Sequence, residues 1–179
     1  MKRVSPAVRT KAEKIKLLLL DVDGVLTDGR IVIDDKGVET KHFDVRDGQG
    51  ISLLRHAGVD VGFITGRSSK IVKYRARELG VQIVYQGIRD KADVYNKIKL
   101  ESGLKDDQIA YVGDDIMDLP ILQRAGLAIS VKDGWGGLTP LVDYVTGASG
   151  GRGAVREIAE LLLKAQRKWA TVTRRYCQI

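Results

Sequence analysis

Short apolar runs alternate along the chain with longer stretches in which apolar positions recur every three or four residues. The runs at 16–20, 60–64, 82–85, 109–112, 127–129 and 143–145 predict strands. Between them, residues 48–57, 69–79, 91–102, 117–125 and 153–168 predict helices. The strand runs lack polar alternation, the pattern of strands covered on both faces. Strands alternating with helices imply right-handed crossovers and an α/β fold built on a doubly wound parallel sheet. One segment breaks the rhythm. In "RIVIDDKGVETKHFDV", residues 30–45, two runs flank "DDKG" with Gly37 in a turn position, which predicts a β-hairpin projecting from the loop after the first strand.

At 179 residues, 44% hydrophobic and 30% charged, the chain has the size and composition of one globular domain, 1–179, able to bury its own core. No apolar run approaches the ~18 residues of a membrane span, so no membrane partner is expected. The opening "MKRVSPAVRTKAEKIK" is basic but lacks the apolar segment of a secretory signal. A single cysteine, Cys177, excludes an intrachain disulfide framework, and the expected location is cytoplasmic. The net charge of +7 would suggest nucleic acid if it covered one face. It is split instead: residues 1–16 hold +5 and residues 164–179 another +5, which leaves −3 for the body. No nucleic-acid partner is expected, and 1–14 and 169–179 read as a basic N-terminal extension and a C-terminal tail.

Ligands of a doubly wound sheet bind beyond the carboxyl ends of the strands. "KLLLLDVDGVLTDG" places Asp21 and Asp23 there, and "TGRSS" places Thr65 and Arg67. "QGIRDK" brings Lys91 to the start of a helix, and "GDDIMD" supplies Asp114, Asp115 and Asp118. Carboxylates gathered on one rim repel each other unless a cation is present, and oxygen ligands without His or Cys point to Mg²⁺, commonly shared with substrate phosphate. A hydroxyl and an ammonium facing the same ion suit a phosphoryl group. Asp21 is then a candidate nucleophile forming an aspartyl-phosphate, and Asp23 a candidate general acid and then base. Taken singly, these residues have plainer readings: a strand-end turn for the two acids, a helix cap for Thr65, a surface lysine for Lys91. Only together do they point to chemistry. Asp118 reads either as a neighbour that tunes the metal or as a helix cap. His42 and His56 read as structural, Trp135 as pocket wall or packing, and Arg152 and Arg156 as open candidates for substrate contact.

"DVDGVLTDG", "ITGRSS", Lys91 and "GDDIMD" occur in the order of the four signature motifs of the haloacid dehalogenase (HAD) superfamily, which this chain resembles over about residues 16–120. Adding "FDVRDGQG", "DYVT" and "GGRGAVRE" extends the resemblance to phosphatases of 3-deoxy-D-manno-octulosonate 8-phosphate (KDO 8-phosphate) over nearly the whole chain. The resemblance implies a Rossmann-like fold and a phosphatase that releases phosphate from this sugar acid phosphate in lipopolysaccharide precursor synthesis. It implies Mg²⁺ held by the Asp21 and Asp114 carboxylates and the Asp23 backbone carbonyl. Thr65 and Lys91 would hold the phosphoryl oxygens. Asp44, Val45, Arg46, Asp47, Gly48, Arg67 and Arg75 would line the substrate pocket, where arginines suit a ligand bearing carboxylate and phosphate. Relatives often carry a cap domain, but the interval from Thr65 to Lys91 leaves no room for one and the first insertion amounts to the hairpin. The resemblance therefore implies a homotetramer in which hairpins meet at the centre and a neighbour covers each site.

Three other functions compete. A receiver domain also combines acids, Thr and Lys around Mg²⁺, but carries its acidic pair and its phospho-acceptor on separate strands, unlike "DVDGVLTDG". A non-catalytic binding module of the same fold would have no need of Asp21, Asp23, Thr65, Lys91 and Asp114 together. A phosphatase of a nine-carbon, sialic-acid-like sugar phosphate keeps the chemistry and changes the substrate.

Overall fold

The structure, a computed structural model, describes residues 4–176; Cys177 lies outside the described residues. Six strands form one parallel sheet: β1 (Leu17–Leu20), β4 (Asp60–Thr65), β5 (Ile83–Gln86), β6 (Ile109–Gly113), β7 (Leu127–Ser130) and β8 (Tyr144–Val145). Their order is β5-β4-β1-β6-β7-β8, every pairing parallel, so the sheet reverses direction of growth at β1. That reversal opens a crevice at the tip of β1, where Asp21 begins.

The four leucines of β1 are all buried because both faces of the sheet are covered. Leu18 and Leu20 pack on one side with Ile51 and Leu54 of α2 (Val45–His56) and Ile158 and Leu162 of α6 (Ala154–Ala165). Leu17 and Leu19 pack on the other with Tyr95 and Ile98 of α4 (Lys91–Ser102) and with Ile121. The remaining crossover before β5 is α3 (Lys70–Glu78), capped by the Ser69 hydroxyl, which accepts from the Ile71 amide at 3.2 Å.

The hairpin is present but small: β2 (Val32–Ile33) and β3 (Glu39–Thr40) pair antiparallel, and the Asp34 carboxylate accepts the Lys36 and Val38 amides across the turn. It stops before residue 45. Asp44 caps α2, accepting the Arg46 amide at 2.7 Å, so Val45–Gly48 are helical and not part of the hairpin. No cap domain is present among the described residues.

Two corrections concern the ends. The N-terminal extension folds as α1 (Pro6–Glu13), capped by Ser5 and burying Val8 and Ala12. Two small buried side chains make too thin a stripe to stand out in a basic sequence. At the other end, the expected helix 153–168 stops at Ala165. The Lys168 amide reaches back to the Leu163 carbonyl at 2.8 Å, a reversal that puts exposed Arg167 in the left-handed region at φ 56°. A short α7 (Trp169–Thr173) follows, with Trp169 against the core. The helix expected at 117–125 is a 3₁₀ turn, Ile116–Asp118, leading into α5 (Leu119–Leu122).

Candidate active site

Four chain segments meet at the tip of β1. Asp21 directly continues that strand, its amide donating to the Val112 carbonyl of β6 at 3.0 Å. Beyond it the chain turns tightly: the Val22 carbonyl accepts the Leu26 and Thr27 amides. Gly24 sits in this turn at φ 97°, and a Cβ there would collide with the Asp114 carboxylate. Glycine is therefore required both by the backbone angle and by the approach of Asp114. Thr65 ends β4, buried, its hydroxyl accepting the Arg67 amide at 3.3 Å. Lys91 opens α4 behind an Asp90 cap that accepts the Ala92 amide.

The Lys91 ammonium is buried and donates to Asp21 Oδ1 at 2.8 Å, to Asp118 Oδ1 at 2.6 Å and to the Tyr111 hydroxyl at 3.3 Å. Burial alone would lower its pKa, but Asp21 and Asp118 more than offset this and hold it above the ordinary lysine value. Asp118 is fully occupied. Its Oδ1 accepts from Lys91 and from the Tyr111 hydroxyl (2.6 Å), and its Oδ2 accepts from the Asp114 (2.9 Å) and Asp115 (3.2 Å) amides. It caps the turn, one of its two expected roles, and it also holds the lysine.

Asp21, Asp114 and Asp118 bring ligand atoms within 4.8 Å of one another. Three carboxylates face one ammonium, and the imbalance shows in their proton affinities. Burial pushes Asp21 up to about 6 despite Lys91, and burial followed by repulsion from Asp21 and Asp118 pushes Asp114 up to about 8. With Asp118 engaged by four donors, the carboxylates of Asp21 and Asp114 are the ones with oxygens to offer. A hard, all-oxygen donor set with excess negative charge fits Mg²⁺.

Asp23 stands apart from this cluster. Its carboxylate, 21% exposed, pairs with the Lys41 ammonium from the end of the hairpin, a residue that carried no signal in the sequence. Arg67 pairs with Glu39 of the hairpin at 3.1 Å. Asp44 pairs with Arg46 at 2.7 Å, and Val45 is 80% exposed. Asp47 points inward: it accepts the Gly153 (3.2 Å) and Arg156 (2.8 Å) amides and so caps α6 from α2. Gly48 leaves room for the Arg75 guanidinium, which pairs with Glu78 at 2.8 Å and lies over the Phe43 ring. Among the described residues, no hydrogen bond or ion pair joins Arg46, Asp47 or Arg75 to the Asp21 cluster. Arg156 pairs with Glu160 and stacks on Trp169, Arg152 pairs with Asp28 at 3.6 Å, and His56 bonds to the Ser52 carbonyl. Trp135 is half exposed, its amide donating to the Asp114 carbonyl at 2.7 Å.

Known proteins resemble this chain over most of its length. The chain is 47% identical over 165 residues to the 3-deoxy-D-manno-octulosonate 8-phosphate phosphatase KdsC of Salmonella typhimurium, covering 92% of this chain and 88% of that protein. The Moraxella catarrhalis 3-deoxy-D-manno-octulosonate 8-phosphate phosphatase, crystallised in complex with magnesium, phosphate and KDO, is similar at TM-score 0.92 and 41% identity, covering 94% of this chain and 97% of that one. The cobalt-bound phosphatase of Haemophilus influenzae gives TM-score 0.85 and 39% identity, covering 88% and 92%. No family model matches the chain. Sequence identity of this extent, on the same fold and with the acids, hydroxyl and lysine at one strand tip, shows that the chain belongs to the KDO 8-phosphate phosphatase family of the HAD superfamily.

Proposed function

We propose that this chain hydrolyses KDO 8-phosphate to KDO and inorganic phosphate through an aspartyl-phosphate on Asp21. The observation that carries this is the state of the Asp21 carboxylate: one oxygen is held by the Lys91 ammonium at 2.8 Å, and the group, itself buried, stands at the tip of a strand covered on both faces. Asp21 attacks phosphorus while the bond to the sugar oxygen breaks, and a proton from Asp23 goes to that oxygen. Water then attacks the acyl phosphate, its proton returns to Asp23, and Asp21 is released. Lys91 and the Thr65 hydroxyl hold the transferring oxygens, and Asp118 keeps Lys91 aimed. The Asp21 and Asp114 carboxylates and the Asp23 backbone carbonyl would hold Mg²⁺, which would supply positive charge to balance that of the phosphoryl group.

The substrate's remaining contacts are assigned to Asp44–Gly48, Arg67 and Arg75. Val45, Arg46 and Arg67 are exposed and available for direct contact, whereas Asp47 is held by the amides at the start of α6 and Arg75 by Glu78 and the Phe43 ring. We further propose a homotetramer in the cytoplasm. Ile31, Ile33 and Val38 on the hairpin are each more than half exposed, an apolar surface that suits burial against other copies.

Phosphate release from KDO 8-phosphate, a nine-carbon sugar acid 9-phosphate and simple sugar phosphates, each with Mg²⁺, with EDTA and with Asp21→Asn, tests the proposal. Preference for the eight-carbon substrate, lost with EDTA or the variant, is expected. Equal turnover of the nine-carbon compound would overturn the substrate assignment.

A further inference from the structure

Neither the signature motifs nor the metal cluster accounts for Lys41. Its side chain is 1% exposed, yet it arises from a hairpin whose own strands lie largely in solvent. A buried ammonium is costly unless carboxylates surround it. Here there are two: Asp23 Oδ1, in a close ion pair, and Glu39 Oε1 at 3.4 Å. Glu39 is itself fixed, because Arg67 donates to the same oxygen at 3.1 Å. The Lys41 ammonium is thus anchored from the hairpin side and presented to one oxygen of Asp23.

We infer that Lys41 is the positioning residue for proton transfer by Asp23, and that the hairpin thereby orients the general acid. This rests on the role given to Asp23 above. Asp23 lies on a loop, outside the network that holds Asp21, Asp114 and Asp118, so nothing in that network fixes its side chain. Lys41 engages Oδ1, so in this scheme Oδ2 is the oxygen that carries the proton to the leaving group. Displacing a catalytic group by about 1 Å can cost on the order of 100-fold, so an orienting contact of this kind is worth as much as many direct ones. Lys41 takes no proton and forms no bond with substrate in this scheme.

The test exploits the leaving group. KDO 8-phosphate expels an alkoxide and needs a proton; p-nitrophenyl phosphate expels a stable phenolate and does not. The value of kcat/KM covers only the steps up to departure of that group, so later work of Asp23 on water does not enter it. Lys41→Met is expected to lower kcat/KM for KDO 8-phosphate by about 100-fold, the lower end of what general acid catalysis supplies, and to leave the nitrophenyl substrate nearly unchanged. Added to Asp23→Asn, the same substitution is expected to cost little more. Equal losses on both substrates, or the full loss repeated in the Asp23→Asn background, would overturn the inference. Should Lys41→Met fail to fold because carboxylates lose their shared cation, Lys41→Met with Glu39→Gln, read against Glu39→Gln alone because Glu39 also holds Arg67, carries the test. Absence of Mg²⁺-dependent turnover of either substrate by the unaltered protein would instead overturn the phosphatase assignment itself.

Discussion

Asp114 shows how a single residue records the demand for a cation. Its carboxyl is pushed up to about 8, above the ordinary 3.8, by burial and by the neighbouring acids. Between those two values the metal-free native state keeps a proton that the unfolded chain releases. Stability of the metal-free protein therefore falls as pH rises across that window. In EDTA, Asp114→Asn is expected to melt at a higher temperature than the unaltered protein at pH 8, with the difference shrinking toward pH 5. Adding Mg²⁺ should raise the melting temperature of the unaltered protein and not of the variant. Melting curves at the two pH values, with and without Mg²⁺, check both signs. Asp118 is the contrasting case. Its four accepted hydrogen bonds make it a fixed part of the scaffold, and Asp118→Ala would leave buried Lys91 and two loop amides short of partners. Nothing in "GDDIMD" distinguishes these two aspartates by residue type; the difference lies in which of them meets Lys91 and Tyr111.

At the scale of elements, helix ends carry much of the architecture. The N-terminus of α6 is capped by Asp47 from another helix, since its own Gly153 has no side chain to do so. Asp47→Ala leaves the buried Gly153 amide and the partly buried Arg156 amide without their partner and is expected to cost about 2 kcal/mol, read from denaturant unfolding. At the other end of α6, Arg167 occupies a left-handed position that glycine adopts without steric penalty. Arg167→Gly is expected to gain about 1 kcal/mol, which for a chain of this length is a rise of roughly 2–4 °C in Tm. Central strands β1, β4 and β6 were legible as apolar runs because both their faces are covered. Helix α4 was legible to the residue, since Asp90 caps it and Gly103 ends it in the left-handed conformation. Helix α2 began three residues before its first expected position, because Gly48 and Gly50 interrupt its apolar periodicity and the Asp44 cap was read as hairpin. Helix α1 escaped for a similar reason: its buried face is only Val8 and Ala12.

For the whole molecule, the hairpin is the exposed apolar surface that bears on assembly. Two strands of two residues each are not stable alone in water, and this pair turns Ile31, Ile33 and Val38 outward. Ile33→Asp is expected to shift the mass measured by light scattering from a tetramer toward smaller species. A unaltered protein that is monomeric at working concentration would remove the assembly proposal.

The sheet, its crossovers and the strand tip on which the chemistry gathers can be read along the chain. Those depend on local period and on the residue that follows each strand, and both are written in order along the chain. Tertiary structure alone decided how the acids divide their labour. Asp21, Asp114 and Asp118 share a charge problem because they converge from different segments, and Asp23 leaves it because Lys41, eighteen residues on, reaches it first. Proton affinities and ion pairs follow from distances between segments, and no spacing along the chain encodes those distances.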